Sequence, residues 1–435
     1  MFFLYNVFFY SLYGVLYLIS LFHERLRKNF EIRRIPLQFR AGGRPVVWFH
    51  ASSVGEYEQA RVLALALKKK HPQFFIFFTV YSYSAYSQRR EDTAFDYLFP
   101  LPFDFPAKMK RLLTTIKPQV LVYAKYDVWP NLCRLAYAQG IPQLLISATL
   151  PSNSWRLRIP FSLFYRKLYH MLQGVYAIHP VHAQNFSKLK IKSLVYGDTR
   201  FDAVKQRADK IPPTVATLLR KLKKLFLHTE LFVAGSTYPI CEEFILGYLE
   251  GHPHSAAIVV PHHPEPKRIE GIVALLKQKN IPYLLYSQLA KRRLPTGVRV
   301  LVVDTTGLLA HLYSLGKFAY VGGGFNGKVH SVLEPAFFGL PLLTGPQIQN
   351  SQEAIDLHER GLLTVAPYPD KQFLKEFIYK YQNRALYGQV KKALQNYFRE
   401  NCGATQRLLL ALEQATQLRS AGGKSPQKKA APEVQ

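Results

Sequence analysis

Short apolar runs of strand length alternate with amphipathic stretches of helix length from residue 45 onward, and this alternation constrains the fold more than any other feature. The runs in the first half are PVVWFH, FFIFFTV, VLVYA and QLLISA, at residues 45–50, 74–80, 120–124 and 143–148. They contain few polar positions, as parallel strands buried on both faces do. Amphipathic stretches such as 56–70 and 106–116 lie between them. The pattern predicts β-α-β units in a doubly wound sheet.

The alternation stops at a polar, proline-containing segment near residue 210 and then begins again. Six further runs follow: ELFVAGST, AAIVVP, PYLLYS, VRVLVVD, KFAYVGGG and LPLLTGP. We therefore predict two α/β domains, 23–210 and 211–415, with a ligand cleft that faces the carboxyl ends of their strands. Residues 416–435 lack large apolar side chains, which predicts a disordered basic tail.

The first 22 residues carry no charged side chain and are treated as a separate helix. At ~1.5 Å per residue this helix would be about 33 Å long, enough to cross the hydrocarbon core of a membrane. Polar and aromatic side chains recur along it at helical spacing: Asn6, Tyr10, Tyr13, Tyr17 and Ser20. Such a stripe suits a helix that lies in the membrane interface or docks on the protein. The alternative is a buried first helix.

Basic residues follow the apolar segment at once, at Arg25, Arg27, Lys28, Arg33 and Arg34. Basic flanks stay on the cytoplasmic side of a membrane, so we expect the body of the protein there. No basic segment precedes the apolar run and no A-x-A pattern follows it, which argues against a signal peptide.

The charge balance favours an anionic partner. The chain carries 57 Lys and Arg against 28 Asp and Glu, a net charge of +29. Nucleic acid, an anionic membrane surface and phosphorylated substrates are the candidate partners. No RNP, zinc-finger or helix-turn-helix pattern occurs, so we expect no nucleic acid. The three cysteines lie far apart without a C-x-x-C motif, which argues against a zinc site and a disulfide scaffold.

The segment WFHASSVGEY, residues 48–57, ends a strand-like run and places Glu56 just after a glycine. Ser53 and Glu56 have the S-x-x-E spacing of a capping box, and an apolar run follows. The carboxylate could instead be a catalytic base. The local pattern favours the cap and leaves the base open.

Small-residue turns follow several predicted strands, at 235–237, 322–324 and 344–346. Glycine lets the backbone approach a ligand, and a following helix offers free N–H groups to a phosphate or carboxylate. No P-loop is present, and although residues 322–327 match the letters of G-x-G-x-x-G, that short pattern alone is weak and does not indicate a dinucleotide.

Two histidine-containing segments have the chemistry of a nucleotide site. His330 and Glu334 have i, i+4 spacing and would share one face of a helix. Glu334 could accept hydrogen bonds from both ribose hydroxyls; a surface ion pair and metal ligation are the alternatives. Metal is the weaker of these, because no third ligand lies at a recognisable spacing. His262 and His263 follow a predicted strand and either reach a phosphate or are ordinary loop residues.

Seven blocks, HASSVGE, KYDVWPN, GDTRFD, AGSTYPICEE, PHHPE, DTTGLL and GKVHSVLEPAFFGLPLLTGP, occur in the order and at the spacing of the Kdo transferases. The chain resembles this family over roughly residues 1–400. The resemblance implies a GT-B fold, with two Rossmann-like domains facing a cleft. It also implies inverting transfer of 3-deoxy-D-manno-octulosonic acid from a CMP-Kdo donor to a lipid A precursor, without metal or cofactor, at the cytoplasmic face of the inner membrane.

The resemblance also implies roles for single residues. Glu56 matches the general base, and Lys125 and Arg200 match positions that stabilise the transition state. The family's segments in contact with CMP match His262-His263, Thr306-Gly307-Leu308 and Ser331-Val332-Leu333-Glu334. We assign further substrate contacts to Ser52, Ser53, Ser236, Thr237, Gly323, Gly324 and His330.

The chain departs from the family at several of these positions. Many members have Glu where this chain has Lys125 and Leu308, Arg in place of His262, and Asn in place of Ser331. Two alternatives remain at this stage. One is another GT-B transferase with a different nucleotide-sugar donor and a lipid acceptor, and the other is a non-enzymatic basic protein that binds nucleic acid.

Overall fold

The computed structural model describes residues 1–289 and 296–420, and the chain divides into two units. The first unit combines Met1–Ala203 with the chain from Cys402 onward, and the second is Val204–Asn401. Each is built on a seven-stranded sheet. All strand pairs are parallel, as the buried apolar runs predict.

The first sheet has the order β3-β2-β1-β4-β5-β6-β7, which follows the Rossmann pattern. Its strands are β1 (Val46–Ala51), β2 (Phe75–Val80), β3 (Tyr97–Pro100), β4 (Val120–Ala124), β5 (Gln143–Ala148), β6 (Gly174–Ala177) and β7 (Leu194–Val195). The four runs predicted in this half are confirmed as β1, β2, β4 and β5. Strands β3, β6 and β7 are shorter and were not predicted.

Helices cover both faces of this sheet, which is why its central strands are mostly apolar, with few polar exceptions such as His50 and Thr79. They are α1 (Phe2–Ser20), α2 (Glu24–Glu31), α3 (Val54–Lys70), α4 (Tyr83–Gln88), α5 (Pro106–Ile116), α6 (Pro130–Ala138), α7 (Phe161–Tyr169) and α8 (Pro180–Lys188). Along β1, Trp48 points into the core that contains Leu132 of α6. Phe49 points the other way, into the core that contains Leu63 of α3.

The second sheet has the order β10-β11-β9-β8-β12-β13-β14. Its strands are β8 (Glu230–Thr237), β9 (Ser255–Pro261), β10 (Tyr283–Leu285), β11 (Val300–Val302), β12 (Phe318–Val321), β13 (Leu342–Thr344) and β14 (Leu363–Val365). All six predicted runs are confirmed here. The helices are α9 (Thr199–Asp209), which begins in the first unit, and then α10 (Pro213–Leu225), α11 (Pro239–Glu250), α12 (Pro266–Gln278), α13 (Leu309–Leu312), α14 (Leu333–Phe337), α15 (Gln352–Glu359), α16 (Lys371–Lys380) and α17 (Arg384–Asn401).

The last described helix, α18 (Ala404–Ser420), corrects the predicted domain limits. Leu408 and Leu412 lie in the same buried core as Phe49 and Leu63, so α18 completes the first domain. The predicted limits at 210 and 415 therefore move to 203 and 401. The predicted tail began at 416, inside this helix, and its remainder at 421–435 lies outside the described residues. The sequence did not reveal this because an amphipathic helix does not indicate which sheet it covers.

Helix α1 docks on the first domain through its polar-aromatic stripe. The Tyr5 hydroxyl donates to Asp104 (3.0 Å), and the Asn131 amide donates to Asn6 (2.7 Å). Tyr10 stacks on Phe105. The opposite face leaves apolar side chains exposed, at Phe3, Leu4, Val7, Phe8, Val15, Leu18 and Phe22. Within the described part of the chain, α1 is the one helix long and apolar enough to cross a membrane.

Asp104 provides a test of how α1 is held. It is fully buried and accepts the backbone N–H groups of Asn131 and Leu132, at the start of α6, besides the Tyr5 hydroxyl. Asp104→Ala leaves those donors unsatisfied. We expect its free energy of unfolding to fall by about 2–5 kcal/mol, since each buried unsatisfied donor costs about 1–3 kcal/mol. Tyr5→Phe removes one bond and should cost about 1 kcal/mol. Urea unfolding of both variants measures the difference, and equal losses would contradict this role of Asp104.

Candidate functional site

The first candidate site lies where the order of strands in the first sheet reverses. Strands β1 and β4 are neighbours, but α3 leaves β1 on one face and α6 follows β4 on the other. Connections that diverge in this way leave an opening at the carboxyl ends of the two strands, where α/β proteins bind ligands. The loop carrying Ser52 and Ser53 follows β1, and the loop from Lys125 to Asp127 follows β4.

Glu56 caps α3 with only one of its two carboxylate oxygens. Its Oε2 accepts the backbone N–H groups of Ser52 (2.9 Å) and Ser53 (3.0 Å), and the Ser53 hydroxyl accepts the Glu56 N–H. The predicted capping box is therefore confirmed. Among the described residues, nothing donates a hydrogen bond to Oε1. The arrangement fixes the carboxylate while one oxygen remains available to a ligand.

The surroundings of Glu56 favour proton binding. Burial raises the pKa of this carboxyl, and the nearby negative charge of Asp127 raises it further. Lys125 and the two serine N–H groups act in the opposite direction, but the net shift of the pKa is upward. The position of Glu56 in the first turn of α3 would by itself favour the ionised form. A carboxylate with a raised pKa is a stronger base than one in water, provided that it remains ionised at the working pH.

A buried polar network beneath Glu56 was not predicted. Asp127 accepts a hydrogen bond from the Ser52 hydroxyl, and its Oδ2 lies 3.0 Å from His50 Nε2. The other ring nitrogen of His50 lies 2.8 Å from the Thr79 hydroxyl. Burial raises the pKa of Asp127, but these hydrogen bonds and the imidazole of His50 lower it by more, so the pKa lies below its ordinary value. The network orients Ser52, whose N–H in turn holds Glu56. The signal was present in KYDVWPN, but an acidic residue in a loop does not by itself reveal a partner on β1.

The two predicted cationic residues lie in the same domain as Glu56. Lys125 has a left-handed backbone conformation (φ 66°). This conformation is rare for residues other than glycine and is often found at functional sites. Its effect on the pKa of Glu56 shows that it lies near the carboxylate. Arg200 binds Asp198 through Nε and Nη2 (2.8 and 2.6 Å). Asp198 also accepts from Gln59, which is on α3 one turn after Glu56.

A second group of predicted residues lies where the strand order of the second sheet reverses, at the neighbours β8 and β12. His262 and His263 follow β9, Tyr238 follows β8, and His330 lies in the loop after β12. The His262 ring centroid is 4.1 Å from that of His330 and 4.2 Å from that of His263. The Tyr238 hydroxyl lies 3.2 Å from His330 Nε2. We call His262, His263, His330 and Tyr238 the histidine cluster.

The expectation that His330 and Glu334 share one helix face is wrong. Helix α14 begins at Leu333, so His330 lies in the preceding loop and belongs to the histidine cluster. Glu334 lies in the first turn of α14 and accepts a hydrogen bond from Ser331. Its other oxygen faces Arg207 at 3.4 Å, a partner that the sequence did not suggest. The i, i+4 spacing of His330 and Glu334 suits a helix, but α14 begins only at Leu333, so the two side chains do not share a helix face.

The remaining predicted contacts fall into two classes. The Thr237 hydroxyl donates to Glu242 (2.7 Å), so it faces the interior. Val332 and Leu333 are also buried, which leaves only their backbone for a ligand. Thr306, Gly307, Ser331 and His263 are exposed, and Ser236 and Leu308 are half-buried.

The turn at 322–324 has a structural reason for its glycines. Gly323 has a φ of 93°, and a Cβ there would collide with the carbonyl oxygen of Lys328. A Cβ at Gly322 would collide with the carbonyl of Ser236. Gly322 therefore permits close backbone packing of the loop after β12 on the end of β8, and Gly323 permits close packing within that loop. Substrate contacts at Gly323 and Gly324 remain predictions.

Comparison with known proteins shows which family the chain resembles. Residues 23–203 match the family described as 3-deoxy-D-manno-octulosonic-acid transferase (kdotransferase). The 3-deoxy-D-manno-octulosonic acid transferase of Chlamydophila psittaci is 29% identical over 349 residues, covering 78% of this chain and 76% of the relative. The enzyme of the same name from Haemophilus influenzae is 26% identical and covers 83% of this chain and 85% of the relative.

Solved structures support the fold. The UDP-GlcNAc 2-epimerase of Neisseria meningitidis superposes with a TM-score of 0.62 at 16% identity, covering 85% of this chain and all of that one. MurG of Acinetobacter baumannii superposes with a TM-score of 0.56 at 13% identity, covering 85% and 99%. At such identities the likeness concerns the fold alone, two Rossmann-like α/β domains of the GT-B class. The family match over residues 23–203 and the sequence relatives indicate a glycosyltransferase similar to the Kdo transferases.

Proposed function

We propose that this protein transfers Kdo from CMP-Kdo to a lipid A precursor, by an inverting and metal-independent reaction in which Glu56 is the general base. The observation that carries the proposal is the Glu56 carboxylate at the strand reversal of the first sheet. One oxygen is held by two backbone N–H groups and the other accepts no hydrogen bond within the described residues. A base needs both features, a fixed position and an accessible lone pair.

In the proposed reaction, a hydroxyl oxygen of the acceptor attacks the anomeric carbon of Kdo. The bond from that carbon to the CMP phosphate oxygen breaks, and its electron pair leaves with CMP. The hydroxyl proton passes to Glu56 Oε1 as the new bond forms. The raised pKa of Glu56 supports this step, because it brings the base closer to the pH at which transfer occurs.

Positive side chains in the first domain suit the anions that such a reaction handles. Lys125 and Arg200 could balance the Kdo carboxylate, the leaving phosphate or the phosphates of the lipid. The charge of Arg200 is already partly offset by Asp198. Asp198, which also binds Gln59, fixes the position of the Arg200 guanidinium, and Lys125 lies near Glu56.

The second domain supports a role in donor binding. The histidine cluster lies at the carboxyl ends of β8, β9 and β12, the edge of such a sheet that binds nucleotides. Glu334 offers a carboxylate, held between Ser331 and Arg207, as acceptor for the ribose hydroxyls. The cluster would take the phosphate of CMP and Glu334 its sugar.

The exposed face of α1 supports attachment to an anionic membrane. Phe3, Phe8 and Phe22 are 75%, 64% and 92% exposed, which is costly in water but favourable in a lipid interface. Arg134 and Lys167 lie within 6 Å of the Phe2 ring, at the start of the same helix. An apolar surface beside basic side chains is suited to acidic lipid headgroups. A lipid acceptor would then be reached from the cytoplasmic face of the inner membrane.

The function is tested by mass spectrometry of a tetra-acylated lipid A precursor incubated with CMP-Kdo and the protein. Wild-type protein should add the mass of Kdo. Glu56→Gln preserves the cap, since the Gln oxygen can accept the same N–H groups, but it cannot take a proton. We expect its transfer rate to fall about 100- to 10,000-fold with an unchanged melting temperature.

Glu58→Gln is the matched control, because Glu58 is on the same helix and pairs with Arg89 on the protein. It should transfer Kdo normally. A Glu56→Gln variant that melts like wild type and retains more than about a tenth of the rate would exclude Glu56 as the base at the low end of that range.

The pH dependence of single-turnover transfer tests the electrostatics around Glu56. The transfer rate should fall on the acid side of its pH profile as Glu56 becomes protonated. The midpoint of this acid limb should lie above the ordinary pKa of a glutamate, because burial raises the pKa of Glu56. Asp127→Asn removes a negative charge that disfavours ionised Glu56, so the acid limb should move to lower pH. Lys125→Met removes a positive charge that favours the ionised form, so the limb should move to higher pH. Shifts in the same direction in both variants would contradict the assignment of the limb to Glu56.

Vesicle flotation tests the surface of α1. Replacing Phe3, Phe8 and Leu18 with Ser should reduce binding to vesicles containing anionic lipid by at least about tenfold, since each buried apolar side chain contributes ~1.5–3 kcal/mol. The control replaces three exposed apolar residues of the second domain, Leu227, Tyr368 and Tyr379, with Ser. Equal binding of the two triple variants would rule out α1 as the membrane surface.

A further inference from the structure

The histidine cluster brings three imidazole rings into contact at the carboxyl ends of three neighbouring strands. His262 lies between His263 and His330, with ring centroids 4.2 and 4.1 Å away. His263 is exposed, and His262 and His330 are half-buried. Three side chains of the same titratable type at this spacing are unusual, because they cannot all carry a proton without strong mutual repulsion.

We propose that the histidine cluster is a proton-coupled phosphate site, in which the donor phosphate binds together with a proton taken up from solvent by the imidazoles. The proposal rests on the proposed function, since it concerns the phosphate of a cytidine nucleotide. It adds a property that His262 makes possible and that an arginine at this position would lack, because arginine is charged at every accessible pH.

In the free protein His262 and His330 are largely uncharged at neutral pH. Burial lowers the pKa of His330 to about 4, and the neighbouring His262 and His263 contribute to this shift. Burial and then His263 lower the pKa of His262. A phosphate in contact with the rings reverses the balance, because its negative charge favours the imidazolium form.

Two charged groups lie close to the cluster along the chain. Glu242, in the first turn of α11, is already paired: it accepts a hydrogen bond from Thr237 and forms an ion pair with Arg268 of α12. Lys328, two residues before His330, is exposed to solvent. No carboxylate appears among the causes that shift the pKa of His262 or His330. The rings therefore respond mainly to one another and to a bound anion.

Two neighbouring groups allow protonation without loss of contacts. The Tyr238 hydroxyl lies 3.2 Å from His330 Nε2. It can donate to a neutral ring or accept from a protonated one, so this hydrogen bond survives the change. Tyr238 is also the N-cap of α11, a helix of 12 residues whose first turn has no side-chain cap. The positive end of this helix lies beside the cluster and favours an anion.

The sign of the pH dependence follows from linkage. The pKa values of His262 and His330 are low in the free protein. In the proposed complex the phosphate raises them, so binding takes up protons at any pH between the pKa of the free ring and that of the bound ring. Affinity should therefore fall as pH rises, by up to about tenfold per pH unit when one proton is taken up. The dependence should begin above about pH 4, where free His330 loses its charge, and end above the pKa of the complex.

The experiment is titration calorimetry of the full-length protein with cytidine 5′-(methyl phosphate). This phosphodiester does not titrate between pH 5.5 and 8.5, so any proton exchange belongs to the protein. Titrations in two buffers of different ionisation enthalpy give the number of protons taken up. We expect about 0.5–1 proton per ligand at pH 6.5, and an affinity that falls at least about tenfold between pH 6 and 8.

Variants assign the effect to the cluster. His262→Arg should reduce proton uptake and raise the affinity at pH 8 above that of wild type. His330→Gln should also reduce uptake, but without this gain. Glu334→Ala should weaken binding about 10- to 100-fold at every pH with uptake unchanged, because a lost charged hydrogen bond is worth ~1.5–3 kcal/mol. His252→Asn is the histidine control, since His252 lies against Tyr248 on another part of the domain.

The outcomes separate the two proposals. Absence of ester binding at every pH would overturn the proposed donor and with it the inference. Tight binding without proton uptake, or uptake unchanged in both His262→Arg and His330→Gln, would overturn the inference and leave the donor assignment standing.

Discussion

The reversal of strand order in each parallel sheet determines where chemistry can occur in this protein. At β1 and β4 the following helices leave on opposite faces, so neither covers the carboxyl ends of the strands. The loops at these ends are then the place where Glu56, Lys125 and Asp127 can approach one another although they are distant in the chain. The second sheet uses the same geometry at β8 and β12 for the histidine cluster. The same topology thus supplies two chemically different candidate sites, one acidic and one built from imidazoles.

Glu56 shows how one side chain can have a structural and a proposed catalytic role. Its Oε2 completes the cap of α3, which fixes the carboxylate and leaves Oε1 for a substrate. The cap alone would lower the pKa, whereas burial and Asp127 raise it more. Asp127 is itself held by His50 and Ser52, so the basicity of Glu56 depends on a network that reaches it by hydrogen bonding through the Ser52 N–H. A change in this network would alter the pKa of Glu56, the proposed base, without moving its carboxylate.

Helix α1 combines two requirements that a uniformly apolar segment could not meet. The polar-aromatic stripe satisfies the buried Asp104 and packs on Phe105, while the opposite face remains apolar and exposed. The helix is therefore part of the first domain, and its exposed face is the surface that we propose for lipid. Arg134 and Lys167 lie beside the start of the same helix. In this proposal the high net charge of the chain adds electrostatic attraction to acidic lipids.

The sequence by itself determined the two α/β domains, most of the strands, the capping box at Ser53 and Glu56, and the two faces of α1. These features are encoded locally, by the period of apolar residues and by short spacings that a helix or strand imposes. Tertiary structure alone decided that α18 completes the first domain, that Asp127 lies against His50, and that Glu334 faces Arg207 while His330 joins His262. Each of these depends on which strands are neighbours and where a helix begins. Such contacts join residues far apart in the chain, and no periodicity in the sequence records them.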